Sequence, residues 1–214
     1  MIMNIVKRAL ILAPHTDDGE FGCGGTISKL IDEGKEVFYV AFSDCEKSLD
    51  PGLAPDTLIK ELMCATAKLG IPETNVFVKK FEVRCFERDR QEILEEMVCL
   101  NNEINPELVF LPSPNDLHQD HNTIAMEGLR AFKLSSTILG YEVPWNNLSF
   151  DTTCFVTLSE NHIQRKIEAL KCYKSQANRF YSSEQFIKSL AMTRGTQIGA
   201  SYAETFEVLR WIIR

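Results

Sequence analysis

The sequence predicts an α/β fold with a mostly parallel sheet and helices on both faces, and three observations carry that expectation. Short β-rich apolar runs alternate with helical patterns through the first half, as βαβ units with right-handed crossovers do. The runs are continuously apolar, which suits strands covered on both sides. Hydrophobic residues make up 44% and charged residues 25% of the 214-residue chain, enough apolar material for a sizeable core. That composition excludes disorder and collagen-like repeats. One domain spanning 1–214 is expected, since no internal repeat or Pro/Gly/Ser-rich linker divides the chain.

The elements follow in order. Residues 9–13 form the first expected strand. Lys7 and Arg8 precede it as in a signal peptide, but the apolar part is too short and no cleavage site follows. Residues 25–34 are expected helical, 37–42 a strand, 55–69 a helix and 76–78 a weaker strand. Residues 88–102 place Ile93, Met97 and Leu100 three and four apart, a helical spacing. A strand at 108–111, a helix from 121 to 132 and a strand at 137–141 come next. Residues 146–158 read as a loop and a strand, 159–173 and 184–192 as helices, and 208–213 as a final apolar segment.

A net charge of −7 argues against a nucleic-acid partner, which needs a basic patch. The seven cysteines stand singly with no C-x-x-C pair, so free thiols in a reducing, cytoplasmic setting are expected. No run approaches the roughly 18 apolar residues of a transmembrane segment.

Chemistry concentrates at two strand ends. The first strand runs into Pro14-His15-Thr16-Asp17-Asp18, and the fourth into Asp116-Leu117-His118-Gln119-Asp120-His121. In a parallel α/β sheet, ligands bind at the carboxyl ends of the strands. Adjacent carboxylates repel unless a cation sits between them, and His with Asp suits zinc when a further ligand arrives from elsewhere. The second segment supplies it, with His118 and His121 about one turn apart if a helix begins there. A bland reading makes each Asp-rich segment a helix cap. Three of the four histidines fall in these two segments, however, and only His162 lies outside, on a polar helix start. The glycines at 22, 24 and 25 follow the charged cluster with the wrong spacing for a dinucleotide fingerprint, so they are read as permitting close helix–strand packing. No Walker loop or G-x-S-x-G elbow is present.

These motifs resemble the LmbE/PIG-L-like zinc deacetylases, which remove acetyl groups from N-acetylglucosaminyl compounds. The likeness rests on Ala13-Pro14-His15-Thr16-Asp17-Asp18-Gly19-Glu20, on Asp116 to His121, and on Lys174-Ser175-Gln176 with Tyr202-Ala203-Glu204 further on. Thr16 and Gln119 stand where the family usually has proline. The resemblance implies a Rossmann-like fold and Zn2+, with Fe2+ as the alternative ion in the cell, held by His15, Asp18 and His121. It implies Asp17 as general base, His118 as general acid or oxyanion stabiliser, and Asp120 as the residue orienting His118. It places Arg84 against sugar hydroxyls. Trp145 either stacks on a sugar ring or packs the core or a subunit contact. The expected partner is a small-molecule or carrier-linked amino sugar, in a protein that could form a homo-oligomer. The alternatives are an amidase of glucosaminyl conjugates using the same centre, and a non-catalytic carbohydrate-binding domain.

Overall fold

The computed structural model describes residues 6–213. Its sheet has seven strands in the order β3-β2-β1-β4-β5-β7-β6. Strand β1 (Arg8–Ala13) pairs in parallel with β2 (Glu36–Ala41) on one side and β4 (Leu108–Pro112) on the other. β3 (Val76–Val78) lies parallel beyond β2, and β5 (Thr137–Tyr141) parallel beyond β4. The order 3-2-1-4-5 therefore reverses between β1 and β4. This is the switch point of a doubly wound, Rossmann-like sheet, where the carboxyl ends of two strands open a crevice.

Alternate residues of β1 feed two cores. Ala9, Ile11 and Ala13 face α1 (Asp18–Asp32), α2 (Thr57–Leu69) and α5 (Glu160–Leu170). Leu10 and Leu12 face α3 (Arg90–Ile104) and α4 (Gln119–Phe132). All five side chains are fully buried, which is why this strand reads as an unbroken apolar run. A third cluster joins α5 to α6 (Glu184–Thr196) through Ile163, Ile167, Ile187 and Ala191. Helix α2 stops at Gly70, whose φ of 92° ends it in the left-handed conformation that glycine adopts freely.

Of the boundaries that differ from expectation, three bear on the sheet and the strand-end loops. The last strand, β7 (Tyr202–Arg210), starts at Tyr202 rather than 208 and runs antiparallel to β5 and to β6 (Cys154–Leu158). Glu204 and Glu207 are buried within it, so its inward positions do not register as apolar. Helix α4 starts at Gln119, two residues early. Helix α1 starts at Asp18 rather than 25, because it is broken at Cys23 (φ −145°, ψ 22°) and its first half is glycine-rich.

The break has its own partners. The backbone N–H groups of Gly25 and Thr26 donate to the Glu204 carboxylate at 2.9 and 2.6 Å. Lys166 Nζ donates to the Phe21 carbonyl and to Glu204, each at 2.6 Å. A buried ion pair from α5 and β7 thus does for the interrupted helix what a capping side chain does at an ordinary helix end. A Cβ at Gly25 would press on Leu158 and on this carboxylate, and one at Gly22 would collide with the Tyr141 ring.

The free-thiol expectation is corrected in part. Cys64 of α2 is paired in a disulfide with Cys172 just beyond α5, their Cα atoms 5.9 Å apart and 108 residues apart in sequence. α2 and α5 lie side by side, a proximity that local cysteine spacing cannot reveal. Cys23, Cys45, Cys85, Cys99 and Cys154 are free. No helix among the described residues is long and apolar enough to cross a membrane.

Candidate metal centre and acid–base site

The loop after β1 and the loop after β4 meet at the switch point. His15 Nδ1, Asp18 Oδ2 and His121 Nε2 form a triangle with edges of 3.0, 3.1 and 3.3 Å. Each imidazole turns its other nitrogen to a carboxylate. His15 Nε2 lies 3.1 Å from Asp120 Oδ2, and His121 Nδ1 lies 2.7 Å from Asp116 Oδ2. An ionised carboxylate only accepts, so those outer nitrogens carry the protons. In the neutral rings the inner nitrogens are then lone pairs, facing each other and a third oxygen.

Three lone pairs this close repel one another unless a metal ion or protons lie between them. For bonds of about 2.0–2.1 Å, a tetrahedral ion needs donor separations of roughly 3.3 Å, so the triangle fits zinc. The His118 ring joins a looser group of three imidazoles whose nitrogens lie within 4.8 Å of one another. The tighter set, with Asp18 in place of His118, is the better match to metal-bond lengths. Without an ion the cluster attracts protons. Burial disfavours charge on His15, yet Asp18 and Asp120 lift its pKa to about 9. Against the same burial, Asp18 and Asp116 lift His121 to about 10.

His118 is the N-cap of α4, and its Nδ1 accepts the Asp120 backbone N–H at 3.1 Å. The neutral ring therefore carries its proton on Nε2. Burial, with His121 and His15 nearby, lowers its pKa. The hydrogen bond that joins Asp120 to His118 comes from the Asp120 main chain, not from the carboxylate expected to orient the ring. The side chain holds His15 and accepts the Arg84 and Phe86 N–H groups at 2.6 and 3.3 Å. Successive residues on a helix point about 100° apart, so this carboxylate faces away from His121 and toward the first loop.

Asp17 is nearly buried and borders the cavity beside the triangle. Burial pushes its carboxyl up to about 6, and the neighbouring Asp18 charge adds to the rise. Arg84 has a left-handed φ of 68° and an exposed side chain at the cavity. The cavity has a volume of about 290 Å³ and also takes in Phe21, Trp145, Arg179 and Tyr181.

Sequence reasoning missed four contributors. Asp116, which holds His121 Nδ1, lies within the second motif, and its place two residues before His118 is the cue the sequence offers. Glu20 is fully buried, where burial raises its pKa to about 8 although Tyr39 and Tyr173 donate to it. Both tyrosine hydroxyls also lie within hydrogen-bond reach of the Thr16 carbonyl, at 3.0 and 2.7 Å, which steadies the loop carrying His15 and Asp17. Arg179 and Tyr181 come from a segment without apolar periodicity, and nothing local marks them.

The fold and this cluster define a doubly wound α/β protein with a His/Asp cluster at its switch point that could hold a cation. The family model for PIG-L, GlcNAc-PI de-N-acetylase, matches residues 10–132, and the chain belongs to that family. It is 28% identical over 178 residues to an uncharacterized deacetylase, YaiS, of Escherichia coli strain K12, covering 79% of this chain and 91% of that one. It is 28% identical over 229 aligned positions to the diacetylchitobiose deacetylase of Thermococcus kodakarensis, covering 94% of this chain and 82% of the relative. The crystal structure of the conserved protein TT1542 from Thermus thermophilus superposes with a TM-score of 0.79 at 23% identity, over 96% of each chain, which establishes the shared fold.

Proposed function

We propose that this protein is a zinc-dependent hydrolase that removes the N-acetyl group from an N-acetylglucosamine conjugate. The observation that carries the reading is the convergence of His15 Nδ1, Asp18 Oδ2 and His121 Nε2, each at lone-pair distance from the other two. Membership of the PIG-L family and likeness to a diacetylchitobiose deacetylase supply the substrate class.

A bound zinc ion with three protein ligands would supply an acidified water and a Lewis acid for the acetamide carbonyl. Asp17 takes the proton of the attacking water, a task suited to a carboxyl raised to about 6. His118 Nε2–H donates to the oxyanion that develops on the carbonyl, and the proton that Asp17 took from the water passes to the departing amine as the C–N bond breaks. Arg84 holds sugar hydroxyls at the cavity edge. The products are acetate and a free amino sugar.

The test is acetate release from a panel of N-acetylglucosaminides, followed as loss of one acetyl by mass spectrometry, with elemental analysis of the isolated protein. Activity that disappears with a chelator and returns with zinc is the expected result; iron in the isolated protein would replace zinc in the proposal. Folded, zinc-loaded protein that releases no acetate overturns it, and release of a different carboxylate moves the reaction to another amide.

A further inference from the structure

Resting on the deacetylase reading for the sugar itself, we propose that Arg179 selects conjugates whose aglycone carries an anion, a carboxylate or a phosphate. Arg179 belongs to the segment between α5 and α6 that forms one wall of the cavity, and its side chain is exposed there. Among the described residues, Arg8, Arg88, Arg90, Arg130, Arg165 and Arg194 each lie within 4.0 Å of a carboxylate. Arg84, Arg179 and Arg210 have no such partner among those residues, and the first two of these border the cavity. Asp17 is the main negative charge acting on Arg179, but no hydrogen bond joins them. Asp17 thus stays free for the proton of the attacking water.

The guanidinium is held ready. One Nη donates to the Tyr181 hydroxyl at 2.6 Å, and the group lies 5.8 Å from that ring's centre. Tyr181 stacks face to face on Trp145 at 3.9 Å, and Phe21 meets both rings edge-on. The segment is tied to α2 where the Ser175 N–H and hydroxyl donate to Glu61 at 2.9 and 2.6 Å. One face of the Trp145 ring is taken by Tyr181, and Trp145 also packs against the main core, so it supports the tyrosine that holds Arg179. A guanidinium has five N–H donors and Tyr181 uses one, so a planar fork remains for the cavity. Paired anionic oxygens are the chemistry that such a fork matches. A chain of net charge −7 repels anions at long range, so a local cation has to supply this recognition.

The test measures binding of amine products, which turnover does not consume, to the metal-loaded protein by titration calorimetry. The probes are glucosamine 1-phosphate, carboxymethyl glucosaminide and methyl glucosaminide. Wild type is expected to bind one or both anionic probes about 10- to 100-fold more tightly than the neutral one. The arm that shows the preference names phosphate or carboxylate as the group. Arg179→Gln should abolish the preference, and Arg179→Lys, which keeps a point charge without the fork, should retain part of it. Equal affinities in wild type, or a preference that survives Arg179→Gln, overturn the proposal. If the preference is found while no N-acetylglucosaminide is deacetylated, the deacetylase reading fails alone; deacetylation without the preference fails this inference alone.

Discussion

His15 and His121 each place one ring nitrogen at a common point and anchor the other on a carboxylate, an arrangement that sets ligand direction as well as identity. His121→Ala is expected to lose zinc, read by elemental analysis. Asp116→Asn should weaken metal affinity by about 10- to 100-fold while leaving the ligand set intact. Asp17→Asn should keep its zinc and lose about 10²–10⁴-fold in turnover. Since both histidines have folded pKa values lifted above 7, metal-free protein holds extra protons at pH 7 that zinc must displace. Zinc affinity should therefore rise with pH toward about 9 to 10, and uptake at pH 7 should release protons, seen as buffer-dependent heats. The proposed ligands were legible in sequence because each strand end carried its own motif. The carboxylate pairing was not, because the direction of Asp120 depends on which residue opens α4.

The break in α1 links the site to an ion pair that sequence periodicity hides. Glu204→Ala would leave the Gly25 and Thr26 N–H groups without their acceptor and Lys166 as a buried, unpaired cation. Breaking one side of a buried pair typically costs about 3–5 kcal/mol. Urea unfolding should show that loss, and the paired change Lys166→Met with Glu204→Gln should recover part of it. Apolar runs made β1, β2, β4 and β5 legible, since both faces of each strand are covered. They failed at the start of α1, where glycines lower helix propensity, and at β7, where buried glutamates interrupt the pattern.

Across the whole molecule, a mostly parallel sheet with helices on both faces could be anticipated from alternating strands and helices, whereas the cross-links between distant segments could not. The Cys64–Cys172 disulfide ties α2 to the end of α5, next to Tyr173 and the loop it steadies. Cys172→Ser should lower unfolding free energy by about 2–4 kcal/mol in oxidised protein, and the difference should vanish in reductant. The repair of α1 by Glu204 bears on biogenesis. A ribosome extrudes residues 18–32 long before residue 204, so the emerging chain exposes backbone amides that only one of its last strands can satisfy. Premature stop codons upstream of that strand should yield products whose opening helix stays ragged, leaving them to proteases although every proposed metal ligand has already been translated.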